Sequence, residues 1–334
     1  MSLVLTSVDV MQVLDMDLAL NAVREAFRAY GEDRVNMPPK AYLDLAQGDF
    51  RAMYGEIFLP EGHVCGLKWV NVHPGNPLRG LPTVMAKIVL NDPDTGFEWA
   101  DMDGTLITNY RTGAAGGVAA EVLSRPDAEC LGVIGAGEQA RTQIAAILKV
   151  RRIQEIIICD CARARAQTLR DEVATLYPIQ VRLAPDPRET ALASDILVTV
   201  TPSEEPLVRR DWVRPGTHIN GIGADAAGKQ ELDPEILKVA MIVVDDWAQA
   251  SHSGEINVPL SQGAITQEMI YGSLGEVVAG KKPGRQSPED ITVFDSTGLI
   301  IQDLSLGFAV FNRAQERGLG EVKEFLKIET RSSS

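Results

Sequence analysis

Residues 131–140 read Leu-Gly-Val-Ile-Gly-Ala-Gly-Glu-Gln-Ala, and Asp160 closes the next apolar run, Ile156-Ile157-Ile158-Cys159. This pairing constrains the fold more than any other part of the chain. Val133 and Ile134 read as the end of a buried strand. Gly135 and Gly137 permit a tight turn and a close approach of backbone to a pyrophosphate, and Ala140 is small enough for a helix to lie against the strand. A helix starting at Glu138 and Gln139 offers free N–H groups and the positive end of its dipole to phosphates. At the position of Asp160 an acid accepts hydrogen bonds from the ribose hydroxyls of NAD. Strand, glycine turn, helix and distal acid together predict a dinucleotide-binding unit. Gly135, Ala136, Gly137, Glu138, Gln139 and Asp160 surround the cofactor, with NAD preferred over NADP.

The rhythm on either side of this motif differs. From residue 130 onward strands alternate with helices: 130–134, 155–160, 180–183, 195–199, 218–222, 241–244 and 292–294 as strands, 139–150 and 162–176 as helices. That alternation predicts an α/β, doubly wound parallel sheet, a Rossmann domain. Before it, residues 17–30 form an amphipathic helix with Leu20, Val23, Phe27 and Tyr30 on one face and Gly31 at its end. Strands then follow one another at 40–45, 52–59, 66–72, 83–90 and 96–102, separated by turn chemistry, which predicts a second, α+β domain with a mainly antiparallel sheet. A small-residue helix at 112–120 reads as the joint, and a helix at 302–317 returns to the first domain. The expected division is 1–115 with 303–334 and 116–302.

The 334 residues agree with two domains, since single cores rarely exceed about 250–300 residues. A net charge of −14 argues against nucleic acid, whose phosphates need a positive face. No apolar run approaches the ~20 residues that span a bilayer, and the N-terminus lacks a basic n-region, so a cytoplasmic protein off the membrane is expected. Cys65, Cys130, Cys159 and Cys161 lack metal-ligand spacing and are expected as buried free thiols, with no metal site. His252-Ser253-Gly254-Glu255 looks like a catalytic cluster only superficially, with no nucleophile elbow or second acid beside it. Residues 331–334, Arg-Ser-Ser-Ser, are expected to be disordered.

In an open parallel sheet the ligand lies outside the carboxyl ends of the strands. That rule selects Thr201, the segment Gly221-Ile222-Gly223-Ala224-Asp225, Asp245-Asp246 and Asp295-Ser296-Thr297-Gly298. Asp225 is the sharpest candidate for proton transfer at the nicotinamide, although a helix N-cap or a turn aspartate fits the position equally well. Lys68 stands inside an apolar strand, where it serves anion binding or proton transfer, or else sends its head to solvent at a strand edge. Arg111 precedes the small-residue helix and is suited to a bidentate carboxylate clamp, although a surface arginine is the commoner case.

Several motifs taken together resemble the ornithine cyclodeaminase/mu-crystallin family: Gly66-Leu67-Lys68-Trp69-Val70-Asn71-Val72-His73-Pro74, Arg111-Thr112-Gly113-Ala114-Ala115, Gly135-Ala136-Gly137-Glu138-Gln139-Ala140, Asn220-Gly221-Ile222-Gly223-Ala224-Asp225, Gly228-Lys229-Gln230-Glu231-Leu232, Gly254-Glu255-Ile256 and Phe294-Asp295-Ser296-Thr297-Gly298. They run in the family's order over nearly the whole chain. Gly80-Leu81-Pro82-Thr83-Val84-Met85 and Val243-Val244-Asp245-Asp246 resemble its archaeal-type alanine dehydrogenases. The resemblance implies a homodimer whose first domain supplies the dimer sheet and substrate pocket. It implies that Lys40, Lys68, Arg111 and Thr297 face the substrate and that Asp225, with Lys68, is catalytic. It also implies that Thr201, Ile222, Gly223, Ala224, Lys229 and Ser296 join the glycine turn around NAD. The implied activity is NAD-dependent oxidation of the CH–NH2 group of a small L-amino acid, alanine first. Cyclisation of ornithine, reduction of a cyclic imine and ligand binding without catalysis are the alternatives. Lys40 stands where cyclodeaminases have arginine, and Ala227 where the family often has proline. The lysine lacks the planar fork, which weakens a direct transfer of ornithine specificity.

Overall fold

A computed structural model describes residues 1–325, and the terminal segment 331–334 lies outside them. The chain divides into two compact units. The first comprises Met1–Leu18, Val35–Thr108 and the chain from Ile300 on; the second comprises Ala19–Arg34 and Asn109–Leu299.

The first unit is built on one eight-stranded sheet. Its order is Glu321–Lys323, Ser2–Leu5, Glu98–Asp103, Val84–Asn91, Gly62–Val72, Gly48–Leu59 and Val35–Asn36, with Ala41–Leu45 also on Gly48–Leu59. All pairs are antiparallel except Ser2–Leu5 with Glu98–Asp103. The strands alternate as half-buried strands must: Met53 and Ile57, Val64 and Val70, Ile88 and Leu90, Ala100 and Met102 point to one face. The helix Ile300–Arg317 covers that face through Leu304, Phe308 and Phe311, with Trp99 stacked on both phenylalanines. The opposite face exposes Tyr54, Phe58, Leu67 and Trp69.

The second unit carries a parallel sheet in the order Gln180–Leu183, Glu155–Cys159, Cys130–Ile134, Ile196–Thr199, His218–Gly221, Thr292–Asp295, Met241–Val244 and Ile270–Ser273. Its central strands are buried along their length rather than in alternation, as helices on both faces require. The strand order reverses between Cys130–Ile134 and Ile196–Thr199, the place where such sheets open a crevice. The sixth place in the order, which the next strand in sequence would normally fill, belongs instead to Thr292–Asp295 from the end of the unit.

Three features differ from the expectation. The helix Met16–Gly31 gives most of its length to the second unit, where Phe27 packs edge-on to Phe294 and the Tyr30 hydroxyl donates to Asp246 at 2.6 Å. An amphipathic face predicts burial but not the partner. The short strands Ser2–Leu5, Ile270–Ser273 and Glu321–Lys323 carry too few residues for period-2 alternation to register. The small-residue helix is longer than expected, Thr105–Leu123, and its glycines serve close packing. A Cβ at Gly117 would lie 2.9 Å from Ala146 on the helix Glu138–Val150.

Candidate active site

The glycine turn is built as its residues require. Gly135 has φ +103°, and a Cβ there would lie 2.7 Å from the Val200 carbonyl, so both conformation and space call for glycine. Gly137 caps the helix Glu138–Val150 without any side-chain acceptor, and a Cβ on it would meet nothing within 4 Å. Room beside Gly137 and an uncapped first turn are what a pyrophosphate needs. Ala140 is fully buried in the core against the Cys130–Ile134 strand. Gln139 reaches Asn109 at 3.0 Å, while the Glu138 side chain is largely exposed. Asp160 sits at the end of the neighbouring strand. One of its carboxylate oxygens accepts from the Ala136 N–H at 2.8 Å and the other from the Ala162 N–H at 2.7 Å. The carboxylate therefore pins the turn to its own strand; Oδ1 also accepts from the Cys161 thiol at 3.7 Å, and Oδ2 keeps a second lone pair for a ribose hydroxyl.

Four buried carboxylates line the carboxyl edge of the rest of the sheet, each accepting backbone N–H groups. Asp245 receives the N–H groups of Thr297 at 2.6 Å and Gly298 at 2.7 Å, and the Thr297 hydroxyl at 2.9 Å. Asp295 receives Glu255 and Ile256 at 2.9 and 3.1 Å. Glu255 receives Glu231 and Leu232 at 2.8 and 2.6 Å. Glu231 receives Thr201 and Gly223 at 2.7 and 2.9 Å. Burial pushes Glu231 up to about 7 and Asp295 up to about 8, against the lowering effect of these bonds. Burial, with the Glu231 charge beside it, holds Glu255 well above the usual carboxylate range. Ser296, Ile222 and Ala224 are buried along the same edge.

Asp225 is half-buried in the loop that follows His218–Gly221, and its carboxylate meets Lys229 Nζ at 2.6 Å. It caps no helix: the next one, Pro234–Leu237, takes Asp233 as its N-cap. The N-cap is thereby removed; a turn aspartate, directly ahead of the bend and turn at 226–228, is the structural alternative that stands. Arg111 is 7% exposed, not a surface arginine, and its guanidinium lies against Gly298. Gly298 has φ +79°, and a Cβ there would strike the Arg111 guanidinium.

In the first unit Lys68 is fully buried on the helix-covered face and pairs with Asp303 at 2.7 Å, so it is not an edge lysine reaching for solvent. Arg51, absent from the residues expected at the site, is also buried and pairs with Asp49 at 2.7 Å. It stands opposite Val70 in the register, two residues from Lys68 and on the same face. Its signal is phase: Arg51 shares the inward alternation of Met53 and Ile57. Asp303 carries the signal that marked Lys68, a charge inside the apolar run Leu299-Ile300-Ile301-Gln302-Asp303-Leu304. Lys40 is half-buried next to the exposed strand Ala41–Leu45.

The cysteines differ from the expectation, and the His252 segment agrees with it. Cys161 is exposed and Cys65 and Cys130 are half-buried, so only Cys159 is a buried thiol. In the His252 segment, His252 faces outward while Glu255 is buried in the carboxylate line. Among the described residues no group of three His, Cys, Asp or Glu is placed to hold a metal ion, and no helix is long and apolar enough to cross a membrane.

Fold and site define a Rossmann-type α/β unit joined to an antiparallel-sheet unit with buried cations. The profile of the ornithine cyclodeaminase/mu-crystallin family matches residues 1–318. The chain is 48% identical over 327 residues to the alanine dehydrogenase of Archaeoglobus fulgidus, covering 98% of this chain and 99% of that one. A solved archaeal "alanine dehydrogenase dimer w/bound NAD" superposes with a TM-score of 0.93 at 48% identity, covering 97% of this chain and 99% of that one. The Δ(1)-pyrroline-2-carboxylate reductase of Thermococcus litoralis, solved with NADH and L-proline, gives 0.92 at 35% identity, covering 96% and 100%. The chain belongs to the ornithine cyclodeaminase/mu-crystallin family and is an enzyme of its oxidoreductase and cyclodeaminase group.

Proposed function

We propose that the protein is a cytoplasmic, homodimeric, NAD-dependent L-amino-acid dehydrogenase that converts L-alanine and water to pyruvate and ammonia. The 48% identity to an alanine dehydrogenase across nearly the full length of both chains supports the substrate choice over ornithine or a cyclic imine. NAD fits the residues present: the open space at Gly137 and the uncapped helix take its pyrophosphate, and Asp160 takes its adenosine ribose. Thr201, Ile222, Gly223, Ala224, Lys229 and Ser296 are assigned to its nicotinamide half. When bound, NAD accepts the hydride from the substrate α-carbon.

The chain's own residues handle charge and protons. Arg111, Lys68 and Lys40 are assigned to the substrate carboxylate and Thr297 to the substrate; Arg51 is a further buried cation on the Lys68 face. A buried guanidinium holds a carboxylate through two parallel bonds. Asp225 takes a proton from the substrate ammonium, because hydride leaves only a neutral amine, releases it to solvent, and then takes a proton from the water that attacks the imine carbon. Lys229, bonded to Asp225, orients that carboxylate. The exposed Tyr54, Phe58, Leu67 and Trp69 face of the first unit is assigned to the dimer.

The test is turnover with product analysis. Net NADH from alanine supports the reading; proline from ornithine without net NADH, or better use of pyrroline-2-carboxylate, overturns it. Asp225→Asn keeps shape and removes the base, so kcat should fall by about 10²–10⁴ while NAD affinity changes only a few-fold. Wild-type turnover in that variant refutes the assignment.

A further inference from the structure

The segment from Gly223 to Glu231 is a loop closed at its neck by one side chain. Glu231 Oε2 accepts from the Gly223 N–H at 2.9 Å, where the loop leaves the strand His218–Gly221. Glu231 Oε1 accepts both the N–H and the hydroxyl of Thr201 at 2.7 Å, just past the strand Ile196–Thr199. The two strand ends approach closely here: a Cβ on Gly223 would lie 2.6 Å from the Thr201 nitrogen and from Glu231 Oε2. Across the loop Lys229 holds Asp225, and on its far side Asn257 accepts from the Gly228 N–H at 3.0 Å and donates to the Lys229 carbonyl at 2.9 Å. Glu231 is itself anchored from below, its backbone N–H donating to Glu255, whose own N–H donates to Asp295.

A fully buried carboxylate is costly, and a glutamine would fill the same space at lower cost. What the carboxylate alone offers is two acceptor oxygens and no donor, so it takes three N–H and O–H groups from two strand ends at once. Those ends belong to the half of the sheet beyond the reversal point, which receives the nucleotide opposite the adenosine side. We propose that Glu231 is a positioning residue: it ties the loop bearing Asp225 to the Thr201 segment and so fixes the walls that receive the nicotinamide half of the dinucleotide. The proposal rests on the dinucleotide reading above but not on the identity of the amino acid.

The experiment compares NADH with ADP-ribose, which lacks the nicotinamide, on the full-length protein. In E231Q the amide oxygen keeps Thr201 while the amide NH2 opposes the Gly223 N–H. NADH binding, read by its fluorescence, should weaken about tenfold or more, with ADP-ribose binding held within about twofold, since one charge-assisted bond is lost on one side only. Equal weakening of both ligands, which a fold-wide defect would produce, overturns the proposal; so does unchanged NADH binding. If E231Q yields no folded protein, E231D replaces it: the shorter carboxylate cannot hold both strand ends, and the same split between ligands is expected. Asp225→Asn run in parallel separates the two readings. Full turnover there refutes the role of Asp225, while the NADH to ADP-ribose split in E231Q decides the role of Glu231.

Discussion

Replacing His218 with glutamine should remove much of the acid sensitivity of the second unit. His218 is fully buried within the parallel sheet. Its Nε2 lies 2.9 Å from Asn220 Oδ1 and its Nδ1 2.9 Å from the Thr292 hydroxyl. In the neutral Nε2–H tautomer Nε2–H donates to Asn220, and Nδ1 faces the Thr292 hydroxyl, whose single proton goes to the Leu123 carbonyl at 2.9 Å or to Nδ1. The Leu123 carbonyl, which also faces Thr292, keeps its bond from Arg285 at 2.8 Å. The hydrogen bonds to Asn220 and Thr292 favour the charged ring, but burial outweighs them. Burial first, and then the Arg285 charge, pushes the imidazole down to about 3. The native ring thus stays neutral while the unfolded ring takes a proton below about 6.5, so the unfolded state binds more protons and stability falls as pH drops from about 6.5 towards 3. At pH 5 the loss is about 2 kcal/mol, on the order of 4–8 °C in Tm for a unit of this size. Glutamine can accept from Thr292 and donate to Asn220 without titrating. Thermal or urea melts of both proteins at pH 7.5 and pH 5 test this. The variant is expected to start less stable and to lose about 2 kcal/mol less on acidification. The buried acids Glu231 and Asp295 titrate in both proteins and cancel in the difference. Parallel stability curves, or a ring that titrates near its usual value by NMR, would refute the reasoning.

Gly137→Val should fold with a Tm close to wild type, because nothing lies within 4 Å of the added Cβ, yet weaken NADH binding on the order of tenfold or more; unchanged binding in a fluorescence titration would remove the pyrophosphate from this turn. Asp160 favours NAD over NADP by about tenfold or more in kcat/KM, since its charge repels a 2′-phosphate; comparable efficiency with NADP contradicts that. Lys68→Met leaves Asp303 buried without its ammonium and should cost about 3–5 kcal/mol in urea melts, while Lys68→Met with Asp303→Leu should recover most of it. A double variant as unstable as the single one would show that the ion pair is not the source.

The sequence by itself determined what contiguous residues can encode. The glycine turn, its strand and its helix are one local unit whose sterics depend only on neighbours, so Gly135, Gly137 and Ala140 were legible, and so was the acid at the end of the next strand. Strands in succession between turn residues exposed the antiparallel sheet, and the alternation of strands with helices exposed the parallel one. A charge inside an apolar run marked Lys68 as unusual. Only the tertiary structure decided which groups meet. Lys68 and Asp303 are 235 residues apart in the chain, and Glu231 reaches Thr201 across 30. The helix Met16–Gly31 joined the second unit because Phe294 and Asp246 gave its apolar face and its tyrosine their partners. A lone buried acid has no periodicity to betray it. For Glu231 its position is fixed by the N–H groups that two separate strand ends bring together, and that convergence exists only once the sheet has formed.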